Sequence, residues 1–184
     1  MTLIPILLDF WFKEAGPEHW FAQSVEFDDL VLRRFFKLHE QAAEGRLHDW
    51  EKTPDGALGL CLLMDQFPRN MFRGTPRAFA TDAEARRIAK SAVSRGFDHA
   101  DGMTDEHRLF FYLPLVHSES MEDQDRAYGL VATLASNPEY LKWAEGHRAI
   151  IKRFGRFPHR NEAMGRRSTE EELAFLETEE GKKF

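Results

Sequence analysis

Apolar residues recur along this chain at spacings of three and four, and nowhere do they alternate with polar ones over the length of a strand. Leu3, Leu7, Phe10 and Trp11 make one such stripe, and Val31, Phe35, Leu38 and Ala42 make a second that stops near Gly45. From Asp55 to Gln66 the chain is apolar nearly all round, as in a helix buried on every side, so Asp65 and Gln66 at its end are carried inward. Thr81 with Glu84 reads as a capping box for a helix whose face of Ala85, Ile88, Ala89 and Ala92 ends at Gly96. Thr104 caps another through Leu109, Leu113 and Val116, with Pro114 as a kink or stop, and Tyr128, Val131, Ala132 and Ala135 line the next. Asn137-Pro138-Glu139 starts a helix that runs along Tyr140, Trp143, His147, Ile151 and Phe154 to Gly155, and a last short one begins at Ser168 or Thr169. Short connections make neighbours antiparallel, so the expectation is one all-α domain spanning 1–184 and built of antiparallel helix pairs.

Two near-matching segments punctuate this pattern: Asp65-Gln66-Phe67-Pro68-Arg69-Asn70 and Arg156-Phe157-Pro158-His159-Arg160-Asn161. Proline lacks a backbone donor and pushes its predecessor out of the helical region, so each Phe-Pro is expected to end a helix and aim the following residues away from its axis. Two helix ends of similar design suggest one shared polar site. Asp65, Gln66, Arg69, Asn70 and Arg73 are its candidate ligand-binding residues on the first side, and Arg156, His159, Arg160 and Asn161 on the second. An Arg fork matches a carboxylate or phosphate. The alternative for the first segment is that Asp65 and Arg69 neutralise each other and tie off a helix end. For the second it is a surface loop paired with the acidic tail through Glu170, Glu171 or Glu172.

His117-Ser118-Glu119 lies just beyond Pro114, with Gln124, a further candidate ligand-binding residue, close behind. A histidine beside a carboxylate can move a proton, which makes His117 and Glu119 the candidate catalytic pair; equally, Ser118 or Ser120 caps the next helix while Glu119 serves its first turn. His147 sits on an apolar stripe one helix before the second segment, as a core histidine or as a member of the site. A metal site from His117, Glu119 and His159 is conceivable, but the chain has no helical His-Glu-x-x-His, cysteine pair or EF-hand loop, and neither metal nor cofactor is expected. It also has no Walker loop, dinucleotide fingerprint or nucleophile elbow.

Composition narrows the classes further. Sixteen Phe, four Trp and three Tyr supply a core, and 30% charged residues leave a polar surface, which excludes disorder and a membrane protein. A net charge of -6 argues against nucleic acid as a partner, yet six of the residues from Lys152 to Arg167 are basic against one acid, which permits a local anion site. Residues 1–12 lack the basic leader and cleavage site of a signal peptide, and the one cysteine, Cys61, lies in an apolar run, so a cytoplasmic location is expected.

Together, Leu8-Asp9-Phe10-Trp11-Phe12, the segment 65–76, Phe79-Ala80-Thr81-Asp82, Tyr112-Leu113-Pro114 with His117-Ser118-Glu119, and Phe154 through Asn161 resemble the uncharacterised, mainly bacterial family numbered 924 among domains of unknown function. That pattern also includes Gln124, His147, Arg166 and Thr169. The resemblance implies a fold similar to tetratricopeptide repeats, a helical bundle or short superhelix, and it transfers no activity. The functional expectation is therefore a protein binding a small anionic ligand such as a phosphate or carboxylate, with catalysis undecided. The alternative is a helical adaptor for a partner protein or peptide.

Overall fold

The computed structural model describes residues 3–183, mostly helical and with no strand among them; Met1, Thr2 and Phe184 of the expected 1–184 span lie outside it. The α-helices are α1 Ile4–Asp9, α2 Pro17–Trp20, α3 Val25–Ala43, α4 Pro54–Cys61, α5 Phe67–Met71, α6 Asp82–Ser94, α7 Asp105–Val116, α8 Met121–Val131, α9 Glu139–Phe154 and α10 Glu170–Leu176. The chain resolves into two compact units, one of Met1–Arg73 with Arg77–Pro114 and the other of Gly74–Pro76 with Leu115–Phe184.

In the first unit α4 packs against α1 and α6, and α3 lies along α5. Its centre is aromatic: Phe35 sits 4.8 Å from Phe10 and 5.0 Å from Phe67, ring centre to ring centre, and Trp11 sits 5.3 Å from Phe67. Gly56 permits the close approach of α4 to the preceding short 3-10 turn, because a Cβ there would collide with the Trp50 carbonyl oxygen. The core of the second unit comprises Ile150, Ile151, Phe157 and Phe175, flanked by Met121, Phe154 and Leu176.

The first Phe-Pro does not end its helix, contrary to the sequence expectation. After Cys61 the helix widens into a π-helical stretch, Leu62–Gln66, and passes through Phe67 at φ −61°, ψ −39° into α5, with Pro68 in its first turn. Pro68 has no N–H to offer Met64, four residues back, or Leu63, five back. Side chains supply the missing donors. Thr81 Oγ1 donates to the Met64 carbonyl at 2.6 Å, and His39 Nδ1 donates to the Leu63 carbonyl at 2.9 Å. Arg69 Nη1 donates to the next carbonyl, that of Asp65, at 2.5 Å. A widened helix leaves carbonyls without their usual partners, and here three such oxygens are taken by residues from α3, α5 and the turn before α6.

Thr81 is consequently spent. It makes no side-chain cap for α6, so the expected Thr81–Glu84 capping box is absent, although α6 begins at the next residue and stops before Gly96 in the left-handed conformation. The second Phe-Pro also departs from expectation. Gly155, at φ +69°, has already ended α9, and Phe157 is extended at φ −90°, ψ 108° before a single 3-10 turn, Pro158–Arg160. Pro114 lies inside α7, which continues two residues beyond it to Val116. Asn137 does cap the start of α9, through the Glu139 N–H, and Thr169 with Glu172 forms a complete capping box on α10.

Thr81 yields a direct test. Thr81→Val keeps the shape and leaves the Met64 carbonyl buried without that donor, so urea unfolding should show a loss of about 1–3 kcal/mol, most of it recovered by Thr81→Ser. Equal stability of Thr81→Val and the parent would mean that the oxygen needs no donor.

Candidate functional site

The candidate residues divide between the two units. Asp65, Gln66, Arg69, Asn70 and Arg73 belong to the first, and His117, Glu119, Gln124, His147, Arg156, His159, Arg160 and Asn161 to the second.

In the first set the π-helical stretch turns Asp65 and Gln66 inward, where both are buried, and the Gln66 amide donates to the Asp65 carboxylate. Arg69 grips Asp82 through two parallel bonds of 3.0 and 3.1 Å and lies 3.2 Å from Asp65. These two carboxylates raise the Arg69 pKa although burial pulls the other way. Arg73 holds Asp28 of α3 with bonds of 2.7 and 2.8 Å, and Asn70 donates to the same carboxylate at 2.8 Å. The guanidinium charges in this set thus have carboxylates built against them. The pKa of His39, which bonds the Leu63 carbonyl, is lowered mainly by burial.

The second set has two layers. Glu172, from the first turn of α10, accepts both arms of Arg156 at 2.6 and 2.7 Å, the Thr169 N–H at 2.7 Å and the Asn161 amide at 3.3 Å. The Arg156 fork is the leading cause that holds the Glu172 carboxyl down at about 2. Glu119 is gripped by both arms of Arg166, at 2.7 and 2.9 Å, and accepts the Phe157 N–H at 2.8 Å. Although burial opposes it, these bonds keep the Glu119 pKa below the ordinary carboxylate value. Arg166 also bonds the Asn161 side chain and the Phe157 carbonyl. The loop is therefore pinned by ion pairs that include one to the acidic tail.

The other layer surrounds the fully buried Phe157 ring. Arg160, itself 5% exposed, stacks its guanidinium 4.4 Å from the ring centre and donates Nη1 to the His117 carbonyl at 3.0 Å. The His147 ring stands edge-on at 5.6 Å, His159 lies at 5.5 Å, and His117 lies 6.0 Å from His147. All three imidazoles are half-buried. Gln124 fixes the loop beneath His117 by donating to the carbonyls of Val116 and Ser118, while Ser118 donates to Asp123 instead of capping α8. No group of three His, Cys, Asp or Glu able to hold a metal ion occurs among the described residues.

The sequence did not mark Asp28, Asp82 or His39 as members of these networks. Asp28 lies 42 and 45 residues from its partners with nothing local to flag it. Asp82 was available as the residue next to Thr81 in the family pattern, and His39 only as a polar position beside an apolar stripe.

The model of a family described as "Bacterial protein of unknown function (DUF924)" matches residues 7–180. The chain belongs to this family. A solved structure of a protein of unknown function, ATU0120 from Agrobacterium tumefaciens, is 44% identical to this DUF924 member, covers 95% of this chain and 97% of its own, and superposes with a TM-score of 0.89. None of the curated proteins matches. No helix among the described residues is long and apolar enough to cross a membrane.

Glu172 gives this DUF924 member an acid-sensitive joint. Its folded pKa of about 2 lies below the ordinary unfolded value of about 4.3. The stability it contributes is therefore complete above the unfolded value and is lost as pH falls through the folded one. Urea midpoints measured from pH 7 to pH 2 should show the parent ahead of Glu172→Gln by on the order of 2 kcal/mol at neutrality, with the two converging towards pH 2. A constant gap across that range would contradict the assignment.

Proposed function

We propose that this protein binds a small anionic ligand, a phosphate or carboxylate, at the Phe157 layer of the second unit, with Arg160, His117, His147 and His159 as its binding groups. The observation that carries the proposal is the gathering of one buried guanidinium and two half-buried imidazoles about the Phe157 ring, with the half-buried His117 ring beside that of His147. Glu119, with both oxygens engaged by Arg166, positions the loop; His117 is the better candidate for moving a proton if the site is catalytic. In this proposal the protein is a cytoplasmic bacterial one whose helix pairs pack in the manner of tetratricopeptide repeats, and it needs no cofactor.

A second reading, a helical adaptor for a partner protein or peptide, draws on Trp143 of α9 and Leu173 of α10, which are 43% and 55% exposed. It is the weaker reading, since two side chains do not define a groove.

The test is a thermal-shift series with sulfate, phosphate, acetate and succinate at constant ionic strength, on the parent, Arg160→Met and Arg33→Ala. Arg33 is an exposed residue of α3 paired with Asp29 and serves as the control. At one hundred times its dissociation constant a ligand stabilises by about 2.7 kcal/mol, a rise of roughly 5–10 °C for a chain of this size. The rise should appear in the parent and Arg33→Ala and vanish in Arg160→Met. Equal shifts in all three proteins, or none in the parent, would overturn the proposal.

A further inference from the structure

The outer face of α3 carries a charge pattern that includes none of the residues proposed to bind the anion. With 19 residues the helix is about 28 Å long, and Phe27, Val31, Phe35, Leu38 and Ala42 bury one side of it. On the opposite side the N-terminal half is acidic, with exposed Glu26 and Asp29, and the C-terminal half is basic, with exposed Arg33 and Lys37. Apolar side chains border these charges. Val25, at 80%, is the most exposed large apolar side chain described, while the half-buried Leu32 and Phe36 line a shallow hollow together with Arg33, Arg34 and Lys37. Asp29 holds Arg33 one turn on at 2.7 Å, an exposed pair that contributes little by itself, and Lys37 pairs with no carboxylate among the described residues.

We infer that two copies of this chain associate through these faces, with their α3 helices antiparallel about a twofold axis level with Val31. Such an axis sets Asp29 opposite the second copy's Arg33, and within one residue of the same register it sets Glu26 opposite Lys37 and Val25 opposite Phe36. Each of these pairs occurs twice, and every opposed charge meets its opposite. Helical phase agrees with the register. At about 3.6 residues per turn, Val25, Leu32 and Phe36 fall on one edge of the face and Glu26 and Lys37 on the other, with Asp29 and Arg33 between them. A twofold axis of this kind brings like edges together, so Val25 meets the apolar side of the hollow and Glu26 the cationic side. The two Asp29–Arg33 pairs then combine into one ring of alternating charge. A parallel pairing would instead set acid on acid and base on base. One helix face on another lies at the small end of specific interfaces, so the association is weak, concentration-dependent and sensitive to salt.

The experiment is sedimentation equilibrium of the full chain up to about 1 mM, at low and at high salt. The weight-average mass of the parent should rise from 21.4 kDa towards twice that value, and less so at high salt. Glu26→Lys and Lys37→Glu each set like charges opposite one another at two places, so each variant alone should self-associate about tenfold more weakly or worse. Both positions are exposed, and an unchanged helical circular dichroism spectrum confirms that the variants are folded. Mixed in equal amounts the two variants should associate with each other as the parent does with itself, because every opposed pair is again acid to base. The double variant Glu26→Lys/Lys37→Glu should recover self-association for the same reason. A parent that stays at 21.4 kDa throughout, single variants that associate as well as the parent, or no recovery in the mixture would overturn the inference. The second of these results would place the contact on another surface.

Discussion

A proline that a helix passes through must have its missing donor replaced, and that requirement organises the first unit. Pro68 leaves the Leu63 and Met64 carbonyls to His39 and Thr81, and Arg69 takes the Asp65 carbonyl. A buried peptide oxygen without a partner is costly, so these three side chains join α3, α5 and the approach to α6 to one stretch of backbone. The widened turn also explains why Asp65 and Gln66 face the interior, and why Arg69 must carry the Asp65 and Asp82 carboxylates. The rings of Phe10, Phe35 and Phe67 pack together in that region, and the captured carbonyls fix where Phe67 stands among them.

Arginines in this protein perform two different tasks. Arg69, Arg73, Arg156 and Arg166 are structural clamps, each hydrogen-bonded to a carboxylate. Arg160 is set apart by its geometry, lying flat on Phe157 and bonded to a backbone carbonyl within a ring of histidines. The Arg-Asn steps of the two segments look alike in sequence and serve these separate ends: Asn70 reaches Asp28, whereas Asn161 ties Arg166, Ser168 and Glu172 together.

The helical character of the chain, the stops at Gly96 and Gly155, the cap at Asn137, and the burial of Phe67, Phe157 and Cys61 were all legible from spacing and residue type. So was family membership, from several short segments in order. What spacing could not reveal was the fate of each Phe-Pro, because that depends on donors far away. Thr81 and Asp82 are read locally as a helix start, yet the Thr81 hydroxyl goes to Met64, 17 residues back. Likewise, the pairing of Arg73 and Asn70 with Asp28 is a tertiary fact with no local trace. The ion pair of Arg156 with Glu172 was legible as an alternative, since a basic loop followed by an acidic helix start invites it.

Imidazole resonances test the account most directly, because the eight histidines are spread through both units, His147 and His159 lie against Phe157, and His117 lies beside His147. In a long-range nitrogen–proton correlation experiment at pH 6.5, sulfate added at constant ionic strength should shift the ring nitrogens of His117, His147 and His159. His19, His39, His48, His99 and His107 should stay in place. Uniform movement of all eight, or movement confined to histidines of the first unit, would contradict a ligand site built on Phe157 and Arg160.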